Sequence, residues 1–279
     1  MSIDLHCHTR ISDGSTGIEE LLAIARRKGI TTVAVTDHDT TAAVNRAAVI
    51  GKRLGLEVIP GVEFSTWDPV RKRKVHLLAY LFDAPDRLEG ICHQILRSRR
   101  AAADEMIRKV LRYYPIVADS ILHCATGSTC IYKQHIMHAL MNAGYAASIY
   151  GETYRQLFSA DGGRAFVPVE YPDIRTVIDS VHSAGGVAVL AHPYLYRSEE
   201  LMRELTAEGL LDGVEAWHPS QSAEQTEALV AFADENGLVA TGGSDFHGMY
   251  AETIHPLGCS APDTVCARLR EQKRKRVSQ

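Results

Sequence analysis

The chain has 279 residues, enough for one large domain or two modest ones, with 46% hydrophobic and 23% charged residues and a formal net charge of −4. This balance is typical of a globular protein, and its slight acidity gives no general attraction to nucleic acid or to a membrane surface. No apolar run approaches the roughly 20 residues that a membrane helix needs.

The cysteines and the N-terminal residues indicate a compartment. Six cysteines are scattered without a C-x-x-C pair, which argues against a zinc ribbon. The first residues lack the basic-then-apolar pattern of a signal peptide. A disulfide framework is unusual in a leaderless chain of this size. We therefore expect a cytoplasmic protein with reduced cysteines.

The first third of the chain alternates apolar runs with helical patterns. Strands are predicted at 3–8, 31–36, 56–60 and 75–82, and helices at 18–28 and 41–54. From about residue 87 only helices are predicted, at 87–113, 133–142 and 149–158. Alternation then resumes, with strands at 187–191, 213–217 and 238–241 and helices at 173–184, 199–208 and 223–236. These patterns predict a main domain of residues 1–90 and 166–279, interrupted by a helical insertion domain of residues 91–165.

The repeated strand–helix units predict a parallel sheet with right-handed crossovers, either open or closed into a barrel. Polar residues follow the ends of many of the predicted strands. In barrel enzymes the site is assembled from the carboxyl ends of several strands, whereas an open doubly wound sheet concentrates its site at one switch point. The sequence therefore favours a barrel.

Histidines and carboxylates dominate these strand ends. A lone histidine is usually a surface residue or a satisfied core residue, but a coincidence of six at strand ends is improbable. Mixed imidazole and carboxylate ligands suit zinc, manganese or iron better than magnesium or calcium, and this many candidates imply two or three ions. Clustered cations favour hydrolysis of phosphate esters. The candidate metal ligands are His6, His8, Asp13, His38, Glu63, His76, His192, Asp245 and His247.

Seven motifs carry a family resemblance: DLHCHTRISDG, TDHDT, PGVEFS, VHLLAY, AHP, VEAWHPS and GSDFHG. In order and spacing they resemble the PHP (polymerase and histidinol phosphatase) family of metal-dependent phosphoesterases, most closely the branch that contains the nucleoside 3',5'-bisphosphate phosphatases. The resemblance covers nearly the whole chain. It implies an α/β fold, a distorted (β/α)7 TIM-like barrel with a small helical insertion domain. It also implies three divalent ions, with manganese expected first and zinc or iron as alternatives.

Position by position, the resemblance also implies roles for the candidate ligands. The first ion would be held by His6, His8, Glu63 and Asp245, the second by Glu63, His76 and His192, and the third by Asp13, His38 and His247. A hydroxide that bridges the first two ions would attack phosphorus, so Glu63 and Asp245 count among the catalytic residues. His218 is the third expected catalytic residue, as a proton donor to the leaving alkoxide or a hydrogen-bond partner of the phosphoryl group.

The insertion is expected to determine substrate specificity. Lys133-Gln-His135-Ile resembles an Arg-Pro-His-Ile segment of the branch that is placed to bind a second, non-reacting phosphate. A lysine in place of arginine still neutralises phosphate but lacks the bidentate fork, which leaves the exact substrate open. Arg155, Arg164 and His218 are further substrate-binding candidates. The basic run 71–74 is interpreted as a solvated hairpin turn in preference to a role in substrate steering.

Together these features predict a metal-dependent phosphatase that acts on a small phosphorylated metabolite. The first expectation is a nucleoside 3',5'-bisphosphate, converted to the nucleoside 5'-phosphate and phosphate. A cyclic phosphodiesterase acting on a sugar or nucleotide cyclic phosphate and a short-RNA 5'-3' exonuclease are the enzymatic alternatives. The non-enzymatic alternative is a metal-binding module of the proofreading type. The expected partner is a small nucleotide or sugar phosphate, with no membrane, no long nucleic acid and no obligate protein partner.

Overall fold

A computed structural model describes residues 2–277 of the chain. Its strands are β1 (Ser2–Cys7), β2 (Ile30–Val35), β3 (Glu57–Asp68), β4 (Arg73–Tyr80), β5 (Val187–Leu190), β6 (Gly213–Trp217) and β7 (Val239–Gly242). The helices of the first half are α1 (Ile18–Arg27), α2 (Val44–Leu54), α3 (Glu89–Val110), α4 (Ala118–Cys124), α5 (Lys133–Asn142) and α6 (Glu152–Phe158). Those of the second half are α7 (Ile174–Ser183), α8 (Glu199–Ala207), α9 (Ala223–Glu235) and α10 (Val265–Val277). None of these helices combines the length and the apolar character needed to cross a membrane.

The seven strands form one sheet in which they follow one another in chain order. The first three strands are parallel, as are the last three, but β4 runs antiparallel to both β3 and β5. The expectation of an all-parallel sheet is therefore wrong at β4. Only residues 69–72 separate β3 from β4, and a connection this short can join only antiparallel neighbours, because a parallel crossover needs a dozen residues or more.

Hydrogen bonds link the two ends of the sheet. The segment after β7 pairs with β1, because the backbone N–H of Asp245 donates to the carbonyl of His6 at 2.8 Å and that of His8 donates to the carbonyl of Phe246 at 2.9 Å. β1 therefore contacts β2 on one side and the end of β7 on the other. The mixed α/β architecture with seven strands agrees with the predicted distorted barrel.

Alternation along the strands divides the core into two layers. On β4, Leu78 and Tyr80 join a buried cluster formed largely by strand residues, whereas Leu77 and Ala79 pack in a second cluster with α7 and α8. Side chains alternate between the two faces of a strand, so one apolar run serves both layers. The Tyr80 hydroxyl also donates to the carbonyl of Leu5 at 2.6 Å, which ties β4 to β1 across the interior.

Helices α3 to α6 follow β4 and precede β5, where the sequence predicts the insertion. They have their own buried cluster, which includes Met106, Ile121, Leu140 and Phe158. Helix α4 was not predicted. The first turns of α3 pack instead on the barrel, since Cys92 belongs to the cluster with α7 and α8. The exact division at 90/91 and 165/166 stays a prediction.

Candidate active site

The predicted metal ligands lie either within strands or in the loops that follow strands. His6 lies in β1, Glu63 in β3 and His76 in β4, and the others lie in the loops that follow β1, β2, β5 and β7. Seven of the nine are buried to 93% or more, and Asp245 and His247 are partly exposed. His192 and Asp245 adopt positive φ angles of 26° and 49°. Non-glycine residues rarely occupy this region, and such backbone strain is concentrated at functional sites.

Glu63 occupies the centre of the cluster, and its two oxygens face different histidines. The Oε1 atom lies 2.7 Å from Nδ1 of His76 and 3.1 Å from Nε2 of His192. The Oε2 atom lies 3.2–3.4 Å from a nitrogen of each of three other histidines, His6, His8 and His38. This arrangement suits a carboxylate that bridges two metal ions.

Several groups of residues could each hold a metal ion, because the potential ligand atoms within each group all lie within 4.8 Å of one another. One contains His6, His8, Glu63 and Asp245, the same residues that the resemblance assigns to the first ion. A second adds His8 to the three residues assigned to the third ion, Asp13, His38 and His247. A third group contains His38, Glu63 and His76, of which the resemblance assigns Glu63 and His76 to the second ion, and Glu63 also contacts His192. Metal ligation by these residues stays a prediction.

The unsatisfied polar atoms of the cluster test whether metal ions fit there. Within residues 2–277, several buried imidazole nitrogens and Oδ1 of Asp245 have no hydrogen-bond partner. The nitrogens include Nε2 of His6, both nitrogens of His8, Nδ1 of His38, both nitrogens of His76 and Nδ1 of His192. Buried polar atoms are normally hydrogen-bonded. Imidazole nitrogens and carboxylate oxygens that face one another without such bonds therefore fit a site for divalent cations.

Burial and neighbouring charges shift the pKa values of several residues in the site. Burial alone would raise the pKa of Glu63, but its contacts with the surrounding histidines hold it well below its usual range. Burial would lower the pKa of His8, but the carboxylates of Asp245 and Glu63, each with an oxygen 3.2 Å from Nε2, raise it to about 10. In contrast, burial lowers the pKa of His38 to about 4. Without metal, protons on some histidines balance the carboxylates, and a metal must displace them.

His218 lies at the edge of this cluster, with Nε2 buried and 3.4 Å from Oδ2 of Asp245. The backbone N–H of Ser220 donates to Nδ1 of His218 at 3.1 Å. Because Nδ1 accepts this bond, the neutral ring carries its proton on Nε2, which points toward Asp245. A cavity of about 650 Å³ opens onto these residues, and its lining includes His218, Asp245, His247, Tyr150, Tyr196 and Tyr250.

The predicted substrate-binding residues of the insertion occupy different environments. Lys133 is half-buried, with Nζ 4.9 Å from the centroid of the Phe166 ring. His135 is fully buried, and its Nδ1 accepts the backbone N–H of Tyr132 at the start of α5. Burial lowers the pKa of His135 to about 4, so the ring is neutral. This contact gives His135 a helix-capping role in addition to its predicted one.

Arg155 and Arg164 are both exposed. Arg155 pairs with Glu152 at 3.0 Å, and Arg164 lies 5.8 Å from the Tyr113 ring. The structure does not bring either residue into contact with the candidate ligands among the contacts described. Their role in substrate binding stays a prediction.

Three residues at the site were not predicted. Gln134 donates to Oδ2 of Asp13 at 3.1 Å, which connects α5 to a residue that would hold the third ion. Arg99 lies 2.6 Å from Oδ2 of Asp39. Lys74 is half-buried against the rings of two tyrosines, so the interpretation of 71–74 as a solvated turn is wrong for this residue. Its place on β4, two residues before His76, was a usable signal, whereas nothing local distinguishes Arg99 from the other arginines of α3.

Comparisons with known proteins show the family to which the chain belongs. The PHP domain model matches residues 4–214. A phosphoribosyl 1,2-cyclic phosphate 1,2-diphosphodiesterase from Eggerthella lenta is 37% identical, over 90% of this chain and 96% of that protein. A 5'-3' exoribonuclease from Haemophilus influenzae is 32% identical, over 88% of this chain and 89% of that protein. A 3',5'-nucleoside bisphosphate phosphatase from Chromobacterium violaceum is 27% identical, over 88% of this chain and 87% of that protein.

A solved structure shows the same fold over almost the whole chain. A proposed metal-dependent phosphoesterase from Bifidobacterium adolescentis superposes with a TM-score of 0.86 at 30% identity, covering 97% of this chain and 96% of that one. The relatives are enzymes by name, which favours the enzymatic prediction over a binding module. On the family match, the relatives and the clustered candidate ligands, this chain belongs to the PHP domain family and is a metal-dependent phosphoric ester hydrolase.

Proposed function

We propose that this chain hydrolyses a phosphate ester of a small ribose-containing metabolite that carries a second phosphate group. The observation that supports the reaction most directly is the central Glu63, whose two oxygens face separate sets of histidines. That arrangement fits more than one divalent ion. When bound, such ions supply an activated water and neutralise charge on the phosphoryl oxygens.

The residues of the chain itself would orient the substrate and move a proton. Asp245 and Glu63 hold His8 between them, at 3.2 Å each. His218 presents Nε2–H toward Asp245 at the edge of the cavity, where it can hydrogen-bond a phosphoryl oxygen or protonate a leaving alkoxide. The half-buried Lys133 would bind the phosphate that does not react.

Two substrates are proposed in order. Phosphoribosyl 1,2-cyclic phosphate is the first, supported by the 37% identity to the Eggerthella lenta enzyme over nearly the full length of both chains. A nucleoside 3',5'-bisphosphate is the second, supported by the likeness to the Chromobacterium violaceum enzyme and by the lysine and histidine of the 133–136 segment. The substrates in the names of these two relatives contain ribose phosphate esters, and so does RNA, the substrate in the name of the exoribonuclease.

A matched panel tests the proposal. Manganese-loaded protein is incubated with phosphoribosyl 1,2-cyclic phosphate, adenosine 3',5'-bisphosphate, 3'-AMP and a 5'-phosphorylated oligoribonucleotide. Mass spectrometry measures the products, and a phosphate-release assay runs in parallel. We expect the cyclic ester to gain one water as its ring opens to a phosphomonoester, and a second water to release phosphate from that product. Turnover of the oligonucleotide alone, or of no substrate at all, would contradict the proposal.

The matched control is Asp245→Asn, which keeps the size of the side chain but removes one charge from the candidate ligand set. We expect it to lose turnover of every substrate in the panel while the far-UV circular dichroism spectrum stays unchanged. Activity that survives in this variant would point to a contaminating phosphatase.

A further inference from the structure

The third ion is expected to be held by three residues on the loops that follow β1, β2 and β7, namely Asp13, His38 and His247. We call these residues the third-ion set. The insertion contacts the first of the loops through its backbone. The Ser128 hydroxyl donates to the carbonyl of Ser12 at 2.6 Å. The backbone N–H of Thr129 donates to the carbonyl of Ile11 at 2.8 Å.

The side-chain amide of Gln134 joins the insertion to Asp13 itself. Gln134 is half-buried at the start of α5, and its Nε2 atom donates to Oδ2 of Asp13 at 3.1 Å and to the Tyr150 hydroxyl at 3.0 Å. An amide nitrogen has two hydrogens, so both contacts form at once. With Oδ2 held in this way, Oδ1 of Asp13 lies 3.3 Å from Nε2 of His247. Gln134 thus fixes which carboxylate oxygen faces this histidine.

The insertion also contacts the other two loops of the third-ion set. The Tyr132 hydroxyl donates to the carbonyl of His38 at 3.4 Å. His247 is followed by a short 3-10 turn that ends at Tyr250, whose hydroxyl lies 2.7 Å from Nδ1 of His138 on α5. The Tyr250 ring is a member of the buried cluster formed by the insertion helices. Each of the three loops is therefore held by the insertion.

The ligands expected for the other two ions have no such contact. Within residues 2–277, no hydrogen bond or ion pair joins residues 91–165 to the residues assigned to the first and second ions, which are His6, His8, Glu63, His76, His192 and Asp245. Barrel residues hold them instead. For example, Glu215 on β6 contacts Nδ1 of His6 at 2.9 Å. The contacts of the insertion are therefore selective for the third-ion set.

We infer that the insertion positions the third-ion set, with Gln134 as the positioning residue for Asp13, and that the third ion and the docked insertion stabilise each other. This inference rests on the proposed function, which needs metal ions, and it names what controls one of them. Proline stands at the position of Gln134 in the segment that residues 133–136 resemble, and proline has no side-chain donor. Coupling between two sites is reciprocal, so an insertion that strengthens metal binding is itself held more firmly by the metal.

Gln134→Leu tests the contact with Asp13, because leucine has a similar size but no donor. We expect the affinity for one ion to fall about tenfold or more, while the affinity for the others stays within about twofold. Calorimetric titration of chelator-treated protein with manganese measures the affinities, and plasma mass spectrometry after dialysis measures the ions per chain. The matched control is Gln156→Leu, which removes an exposed amide of the same insertion and should leave metal binding unchanged.

Tyr250→Phe tests the inference through a second contact. It removes only the hydroxyl that meets His138, and it should weaken the same ion as Gln134→Leu. Hydrogen exchange measures the reciprocal effect. Manganese should slow amide exchange in α5 of the wild-type protein, and this protection should shrink in Gln134→Leu and disappear in Asp13→Ala. A merely structural contact would change exchange equally with and without manganese.

The outcomes separate this inference from the proposed function. The positioning role is wrong if metal affinity is unchanged in both Gln134→Leu and Tyr250→Phe, or if no ion bound by the wild-type protein depends on Asp13. Turnover of the substrate panel would then leave the proposed function standing. If one ion weakens as expected but no phosphate ester is hydrolysed, the proposed function is wrong and the positioning role stands.

Discussion

Oε1 of Glu215 lies 2.9 Å from Nδ1 of His6, and its other oxygen accepts the backbone N–H of His192 at 2.9 Å. One buried carboxylate thus positions two candidate metal ligands, one in β1 and the other in the loop after β5. Because Nδ1–H of His6 donates a hydrogen bond to Glu215, Nε2 is the ring nitrogen that faces Glu63 and Asp245. A carboxylate behind a ligating histidine sets its tautomer and raises its basicity.

Glu215→Gln tests this relationship. The amide keeps the shape of the side chain but removes its charge, so we expect metal affinity or activity to fall by about 10- to 100-fold. Metal content by plasma mass spectrometry and kcat at saturating metal measure the two effects separately. Glu235→Gln, on the exposed face of α9, is the matched control. An unchanged metal affinity in Glu215→Gln would show that the carboxylate only packs.

Removing the Glu63 side chain should lower the bound metal per chain more than removing any other candidate ligand, because its two oxygens face separate sets of histidines. We expect Glu63→Ala to lose turnover and more bound metal per chain than Asp13→Ala, which should lose about one ion. His192→Ala should also abolish turnover with the loss of about one ion. Metal analysis on dialysed protein measures these losses. Equal metal content in the Glu63 and Asp13 variants would contradict a bridging role.

Metal binding should release protons at neutral pH. The pKa of His8 is raised to about 10 in the metal-free protein, so this ring is protonated at pH 7.5 and must lose its proton to ligate a metal. Metal affinity should therefore fall as pH falls. Calorimetry in buffers of different ionisation enthalpy counts the protons. His8→Ala should reduce the release, whereas His38→Ala should not, because the pKa of His38 is about 4 and its ring is already neutral.

Binding of doubly phosphorylated substrates should weaken in mild alkali. The pKa of Lys133 is lowered to about 8 by burial and by Lys74 and Arg99, so its charge is present below pH 8 and is lost above it. We expect KM for the bisphosphate to rise above about pH 8, and KM for an aryl phosphate to stay level. Lys133→Arg should remove this rise, since arginine stays charged. Lys133→Ala should raise KM for bisphosphates more than for an aryl phosphate.

His218 should matter most when the leaving group is poor. As the donor of the Nε2 proton, it assists departure of an alkoxide but is hardly needed for an aryl oxide. We expect His218→Gln to lower kcat for ribose esters by about 10²-fold or more, with a much smaller loss for 4-nitrophenyl phosphate and unchanged metal content. Similar losses for both leaving groups would assign His218 to phosphoryl binding instead.

Local pattern predicted most of the secondary structure. Helix α5 begins and ends where the sequence places it, and β6 matches its predicted bounds, because apolar periodicity and flanking turn residues act within a single element. β3 is the main exception. Its predicted end was residue 60, but it continues to residue 68 because antiparallel pairing with β4 satisfies its backbone groups. That pairing partner is not visible in the local pattern of β3 itself.

The sequence by itself determined the chemistry of the candidate metal site. Its histidines and carboxylates lie within apolar strands or in the loops that follow them, and the carboxyl ends of neighbouring strands in a barrel meet at one face. Only the tertiary structure decided what lies beside that site. Lys74, Arg99 and Lys133 belong to a strand and two helices with no shared motif, and Glu215 is joined to His6 across 209 residues of chain. Periodicity describes which face of one element is buried, but contact between elements depends on how they pack in three dimensions.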